Sequence, residues 1–354
     1  MQPQAEALVG REREQQHLRD LLADARTGRG RLVLISGEAG IGKTTLVDDL
    51  VHEAKQRDCL VLSGGCYDLT TTPPYGPWIE VFRSQADMEE LPSWPGTGAA
   101  NKRTSGQTEL FDEIRQLLQG LAACRPLVIV LEDLHWADQA SLELLRHLGR
   151  GLDDDRMLIV ATFRDPEISR GHPLFRLLPP IISESRPIRL ELRPLDIDAL
   201  EDLLQSAYGL PANRQSRLAK TLLERTDGNP LFVREVLRTM EHQGILQPGN
   251  TGWELGDLAL IDVPPLILQH LEARLVDVSD QTRSALEIAA VIGQEVPFDL
   301  WQTLTVPDSD MVAIAREATA VQIFENSASS GSMKFRHAIV RRPSTMDCSC
   351  RNAE

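Results

Sequence analysis

Apolar residues over the first 190 positions follow two alternating rhythms. Unbroken short runs (Leu32-Val33-Leu34-Ile35, Cys59-Leu60-Val61-Leu62, Leu127 to Leu131, Met157 to Thr162) read as buried strands. Between them apolar positions recur every three or four residues, as in Leu46, Val47, Leu50, Val51 and Ala54, or Leu110, Phe111, Ile114, Leu117, Leu118 and Leu121. Leu142, Leu144, Leu145 and Leu148 make a third such set. These are amphipathic helix stripes. Near-continuous apolar strands separated by such helices predict a parallel sheet with helices on both faces. Alternating Ile188, Leu190 and Leu192 predict a further edge strand. Thr70 to Trp78 and the Pro/Gly/Ser-rich stretch from about Leu91 to Gly106 read as turn and loop.

From about residue 194 the pattern turns helical. Leu200, Leu203 and Leu204 mark one helix, and Leu218, Leu222 and Leu223 a second that stops at Gly228. Pro230 opens a third with Val233, Val236, Leu237 and Met240; Gly past one helix and Pro just inside the next is helix punctuation. Ile245 to Leu255 reads as a hairpin. After Val263-Pro264-Pro265 come helices around Leu268 to Leu275 and Ala285 to Ile292, then a two-stranded wing, Val321 to Phe324 and Met333 to Phe335. The predicted organisation is an α/β domain over residues 1–190, a helical lid over 191–245 and a winged-helix-like domain over 246–342. Residues 343–354 form a tail without apolar periodicity.

Composition narrows the class. The 354 residues carry 37 Lys+Arg against 52 Asp+Glu, a net charge of −15, so bulk attraction to nucleic acid or anionic membrane is disfavoured. No apolar run approaches the ~18–20 residues of a membrane span. The opening residues lack a basic-then-apolar leader pattern, and Cys59, Cys66, Cys124, Cys348 and Cys350 show no metal or disulfide spacing. A reduced, cytoplasmic protein is the expectation.

The chemistry concentrates in Gly37-Glu38-Ala39-Gly40-Ile41-Gly42-Lys43-Thr44, which matches G-x-x-x-x-G-K-[ST] between an apolar strand and an amphipathic helix. Glycines let the backbone wrap a phosphate, and the helix N-terminus adds partial positive charge. Lys43 would then reach the outer phosphates and Thr44 would ligate Mg²⁺, with Thr45 completing the phosphate-binding set. Such a pocket needs acid at the end of a neighbouring strand. Leu131-Glu132-Asp133 provides two carboxylates there, one for the Mg²⁺ shell and one to orient water. Asp138 sits where a helix N-cap belongs. Arg164, leaving the strand Met157 to Phe163, is the candidate cation near the third phosphate. Asn101-Lys102-Arg103-Thr104 lacks the Asp of a guanine-reading motif, so adenine is favoured and the expected ligands are ATP or ADP with Mg²⁺.

Taken with Leu8-Val9-Gly10-Arg11-Glu12, Pro73 to Trp78, Leu131 to Asp138, Ala161-Thr162-Phe163-Arg164 and Thr226 to Leu231, the sequence resembles the STAND class of AAA-like P-loop ATPases. It is most similar to the ORC-like module heading bacterial LuxR-type transcription regulators and some nucleotidyl cyclases. The resemblance implies an ATPase core, a helical lid and a winged-helix-like domain that closes over ADP, with ATP exchange driving self-association. It implies that Val9, Gly10 and Arg11 line the adenine side, Glu132 is the Mg²⁺-side acid, Asp133 the water-polarising acid and Arg164 a sensor. Pro230 would pack on the nucleotide from the lid. The acids run Glu-Asp where many AAA ATPases have Asp-Glu, which leaves open which acid does which job. A shorter second acid suits slow turnover.

Lys334 to Arg341 resembles a segment that leads into helical repeats in that class, so the tail after it reads as a truncation lacking sensor and output domains. DNA contact is expected only through an output domain outside this chain. Two other readings stay open: a nucleotide-locked interaction scaffold without hydrolysis, and a direct DNA-binding regulator using Lys334, Arg336, His337, Arg341 and Arg342. Against the last stand Asp277, Asp280 and Glu287.

Overall fold

The structure, a computed structural model, describes residues 9–68, 73–83, 107–164, 172–249, 252–262, 264–276, 278–305, 310–321, 323–326 and 331–335. Outside them fall Asn101 to Thr104, Asp277, Arg336, His337, Arg341, Arg342 and the tail after residue 342. The chain divides into two compact units, Met1–Arg193 and Pro194–Glu354.

In the first unit the elements run α1 (Glu12–Arg26), β1 (Arg31–Ser36), α2 (Lys43–Gln56), β2 (Leu60–Gly65), α3 (Gly76–Arg83) and α4 (Gln107–Cys124), then β3 (Leu127–Glu132), α5 (Gln139–Gly149), β4 (Met157–Phe163), α6 (Pro173–Ser185) and β5 (Ile188–Glu191). The strands form one parallel sheet in the order β2-β3-β4-β1-β5, with Leu32 opposite Ile159 and Leu131 opposite Ala161. Successive strand residues point to opposite faces. Leu32, Leu34, Ile129, Leu131 and Ile159 join one apolar cluster with α3, α4, α5 and α6. Val33, Ile35, Val128, Val130 and Val160 join the other with α1 and α2. This is the P-loop NTPase type of α/β fold, and the alternation explains why the central strands are apolar throughout.

One reading needs correction. The segment up to Trp78 is not simply turn: a helix begins at Gly76 and Trp78 is fully buried, donating from Nε1 to Ser141 O at 3.0 Å. Three prolines (Pro73, Pro74 and Pro77) and Gly76 hid the helix. Pro77 packs so tightly on β2 that a Cβ at Gly64 would lie 2.0 Å from its carbonyl oxygen.

The second unit contains α7 (Ile197–Tyr208), α8 (Ala212–Thr226), α9 (Pro230–His242), the hairpin β6 (Leu246–Gly249) and β7 (Gly252–Leu255), then α10 (Pro265–Val276) and α11 (Asp280–Ile292). There follow β8 (Glu295–Pro297), α12 (Phe298–Leu304), α13 (Met311–Ala320), β9 (Phe324–Asn326) and β10 (Ser332–Phe335). Here the two-stranded wing is corrected. β10 pairs with β8 as well as β9, giving three antiparallel strands, and Val321 caps α13 while the strand starts at Phe324. β8 and α12 are too short to generate a periodic signal, whereas α13 buries Met311, Ile314 and Ala318 at helical spacing and was passed over. Trp301 centres this core, fully buried, with Nε1 donating to Ala285 O at 2.7 Å and its ring edge-on to Phe324. Among the described residues no helix is long and apolar enough to cross a membrane.

The close approach of α3 to β2 predicts that Gly64→Ala lowers the unfolding free energy by about 2–3 kcal/mol. Gly76→Ala, whose Cβ would meet nothing nearer than 3.7 Å, should shift it by less than about 0.5 kcal/mol in the same urea titration.

Candidate nucleotide-binding site

β1 ends at Ser36, whose carbonyl accepts from Leu192 N at 2.8 Å, and the chain then turns through Gly37, Gly40 and Gly42 at φ of 150°, 75° and 99°. These angles require glycine, and at Gly37 a Cβ would also lie 2.9 Å from Leu192 O. The loop feeds straight into α2, whose positive end therefore faces the turn. Lys43 is buried at the first position of α2, and its Nζ donates to Gly37 O and Glu38 O, both at 2.8 Å. The ammonium lies inside the curve of the loop. Thr44 and Thr45, in the first turn of the helix, are exposed.

Glu132 closes β3, and its Oε2 accepts from Thr44 Oγ1 at 3.2 Å. The half-buried Glu132 carboxyl is pushed above its ordinary value of 4.5, mainly by desolvation. The Thr44 hydrogen bond opposes this shift, while the negative charges of Asp48, Asp133 and Glu80 add to it. Asp133 takes the left-handed conformation (φ 57°, ψ 49°), and its N–H donates to the buried Thr162 Oγ1 at 3.0 Å. That twist sends its carboxylate toward Arg164 Nε, 3.9 Å away, and His135 Nδ1, 3.7 Å away. The two acids, adjacent in sequence, face different partners.

Arg164 follows β4, with its guanidinium carbon 5.1 Å from the centre of the Trp136 ring. Asp138 caps α5 through Ser141 N at 2.9 Å and also accepts from Tyr75 N at 3.3 Å, which ties α3 to the acidic strand end. The Val9-Gly10-Arg11 segment lies just ahead of α1. Gly10 N donates to Glu12 Oε1 at 2.9 Å, while the Arg11 guanidinium, only 5% exposed, turns inward to Ile41 O at 3.2 Å and Arg193 O at 2.5 Å. Its side chain braces the glycine loop from beneath. Pro230 belongs to the second unit, at the start of α9, where Asn229 caps the helix through Leu231 N at 3.1 Å. The preceding Gly228 has no room for a side chain, since a Cβ would lie 2.1 Å from Leu195 O.

Sequence reasoning missed Glu80. Its carboxylate accepts from Gly65 N at 2.7 Å and Tyr67 Oη at 3.0 Å, and Gly65 is the register partner of Glu132. A lone acid on an unrecognised helix carried no signal for it. Cys66 lies alongside, but burial together with Asp138, Asp133 and Glu80 pushes its thiol up to about 12, which keeps it protonated and inert.

The donor set suits Mg²⁺ held jointly with a phosphate ligand. Thr44 and Glu132 offer a hydroxyl and a carboxylate side by side, and among the described residues no cluster of three or more His, Cys, Asp or Glu could hold a metal without further ligands. Mg²⁺ characteristically binds through one or two carboxylates plus substrate phosphates and waters.

The fold and the glycine loop at this edge are of the P-loop NTPase type, and a family model described as AAA ATPase domain matches residues 7–160. An uncharacterized protein of Rhizobium meliloti is 26% identical over 347 residues, covering 88% of this chain and 32% of that protein. A peroxide stress-activated histidine kinase of Schizosaccharomyces pombe, mak3, is 24% identical over 209 residues, covering 57% of this chain and 8% of the kinase. The chain thus spans about a third or less of these relatives' lengths. Among solved structures, the Aeropyrum pernix ORC2 protein, determined as ADPNP–ADP complexes, superposes with a TM-score of 0.56 at 13% identity, covering 96% of this chain and 95% of that one. That likeness extends over both units and is one of fold.

A carboxyl whose folded-state value is raised contributes stability at low pH and loses it as pH rises through that value. At pH 7 the ionised Glu132 therefore costs stability. Glu132→Gln should raise the unfolding midpoint of the ligand-free protein at pH 7, with the gain vanishing below pH 4.5, as a series of denaturant melts would register.

Proposed function

We propose that this chain is an ATP-binding molecular switch with slow hydrolysis, the regulatory ATPase module of a larger signal-transduction protein of the transcription-regulator type. The observation that carries the reading is the convergence of the Gly37 to Thr44 loop, with Lys43 inside it, on the Glu132 carboxylate. In this reading Lys43 and the loop bind the phosphates, Thr44 and Glu132 hold Mg²⁺, and Val9, Gly10 and Arg11 flank the adenine. When bound, Mg²⁺ supplies positive charge to the phosphate oxygens. Asp133 accepts the proton of the attacking water, and Arg164 neutralises charge that develops on the third phosphate.

Slow turnover follows from the same arrangement. Asp133 is the shorter acid, and its carboxylate already faces Arg164 and His135. No residue is assigned as a trans-acting arginine, which in such enzymes contributes about 10³–10⁵ in rate. α7 to α9 are read as a lid, and α10 to α13 with the three-stranded sheet as a winged-helix-like module. Exchange of ADP for ATP in a cytoplasmic setting would drive self-association. DNA contact would belong to a separate output domain.

Thermal unfolding with Mg-ATP or Mg-ADP at about 100 Kd should show a stabilisation of about 2.7 kcal/mol, abolished in Lys43→Ala. An unchanged shift in that variant removes Lys43 from the pocket. Phosphate release should be measurable in the wild type and reduced at least about tenfold in Asp133→Asn with binding retained. Equal release by both proteins would favour the nucleotide-locked scaffold.

A further inference from the structure

The turn after β3 performs more than the termination of a strand. Leu134 and His135 are buried, Trp136 N donates to Asp133 O at 2.9 Å, Ala137 N to Leu134 O at 3.0 Å, and Asp133 N to Thr162 Oγ1. These bonds fix the backbone from Asp133 to Ala137, and the His135 and Trp136 rings pack 4.4 Å apart. The Trp136 indole is thus held by its own backbone and by a buried neighbour. Its face lies under the Arg164 guanidinium, while Asp133 approaches the same cation from the side.

Arg164 needs such support. It follows directly on the last residue of β4, and a long side chain there has many rotamers, whose freedom opposes any single functional placement. An indole face attracts a guanidinium through its quadrupole and offers it a flat surface, without consuming the N–H donors that a phosphate would use. Asp133 differs, because it competes for those donors. The pair therefore divides the labour: the carboxylate sets the charge balance and the indole sets the position.

We propose that Trp136 is a positioning residue that holds Arg164 at the carboxyl edge of the sheet for a third phosphate, so that the Trp136–Arg164 contact sets the preference for nucleoside triphosphate over diphosphate. The assignment rests on the nucleotide-binding reading above. It predicts an asymmetric defect. In that reading the glycine loop and Lys43 grip the phosphates common to both nucleotides, so diphosphate affinity stays near the wild-type value when the indole is removed. Triphosphate affinity falls.

The test is calorimetric titration of the full chain with Mg-ADP and with a non-hydrolysable Mg-ATP analogue. Trp136→Leu is expected to lower the triphosphate-to-diphosphate affinity ratio by about three- to thirtyfold, the range for losing a partly desolvated cation–π contact. Trp136→Phe, which keeps an aromatic face, should restore most of the ratio, and Arg164→Ala should lose as much as Trp136→Leu or more. The double variant should be no worse than Arg164→Ala, since both changes remove one interaction. Retained diphosphate affinity certifies the fold of each variant. Should Trp136→Leu fail to fold, Arg164→Lys reads the same contact from the other side, with a reduced ratio and unchanged diphosphate affinity expected. A ratio unmoved by Trp136→Leu or its substitute, or additive losses in the double variant, overturns this assignment alone. A wild type that binds neither nucleotide overturns both it and the function it rests on.

Discussion

Everything at the candidate site depends on the register of three parallel strands. Ser36 lies opposite Phe163, and Leu131 opposite Ala161, so the chain leaves β1, β4 and β3 at nearly the same height along the sheet. Gly37, Arg164, Glu132 and Asp133 emerge at one edge for that reason alone. The register is in turn held by burial. Odd and even residues of each strand enter two separate apolar clusters, and a slip of one residue would send each set to the wrong face. Ligand sites in open α/β sheets gather at the carboxyl ends of strands, and here the hydrophobic partition of the sheet is what aligns those ends.

That edge is electrostatically asymmetric. Glu80, Glu132, Asp133 and Asp138 converge on it; the Glu132 carboxyl and the Cys66 thiol are both raised, first by burial and then by the neighbouring negative charges, Asp133 and Glu80 among them. Across from them stand Lys43, the positive end of α2 and Arg164. Under the proposed function the second group would face the phosphates, and Glu132 would share a divalent cation with Thr44. In an acidic chain with so few lysines the burial of Lys43 within its loop is the more telling. A buried ammonium needs acceptors, and the carbonyls of Gly37 and Glu38 provide them.

Much of this was readable from the residues. The alternation of apolar runs and helical stripes prescribed the parallel sheet, and Gly37 to Thr44 announced its own turn because glycine, lysine and threonine each answer a separate steric or chemical demand. Asp138 was legible as a cap from its place ahead of a leucine-rich helix, and it does accept from Ser141 N. What stayed hidden depends on distance along the chain. Arg11 bonds to Arg193 O across 182 residues, and Glu80 works by receiving the N–H of a strand residue it does not follow in any pattern. α3 was masked by prolines, the short α12 and β8 have no room for a period, and the stripe of Met311, Ile314 and Ala318 on α13 was passed over. Buried Trp301, which holds the second core together, gave no hint of its partner Ala285.

The order Glu-Asp posed a question that composition alone could not answer, and backbone geometry bears on it directly. Glu132 is the last residue in the extended conformation, so its side chain obeys the pleat and meets Thr44. Asp133 leaves the strand in a left-handed conformation, which costs about 1 kcal/mol or more for a residue other than glycine. The hydrogen bond to Thr162 and the burial of Leu134 and His135 offset that cost. A strained backbone sustained by a buried hydroxyl on the neighbouring strand argues that the turn is specified rather than incidental. Its consequence is to separate the two carboxylates, one toward the helix that starts at Lys43 and one toward the cation that follows β4. Had Asp133 continued the strand, the pleat would have turned it to the opposite face from Glu132, and Arg164 would have lost its carboxylate neighbour. The separation of the two carboxylates is therefore a property of one backbone torsion, held by Thr162 at a distance of 29 residues.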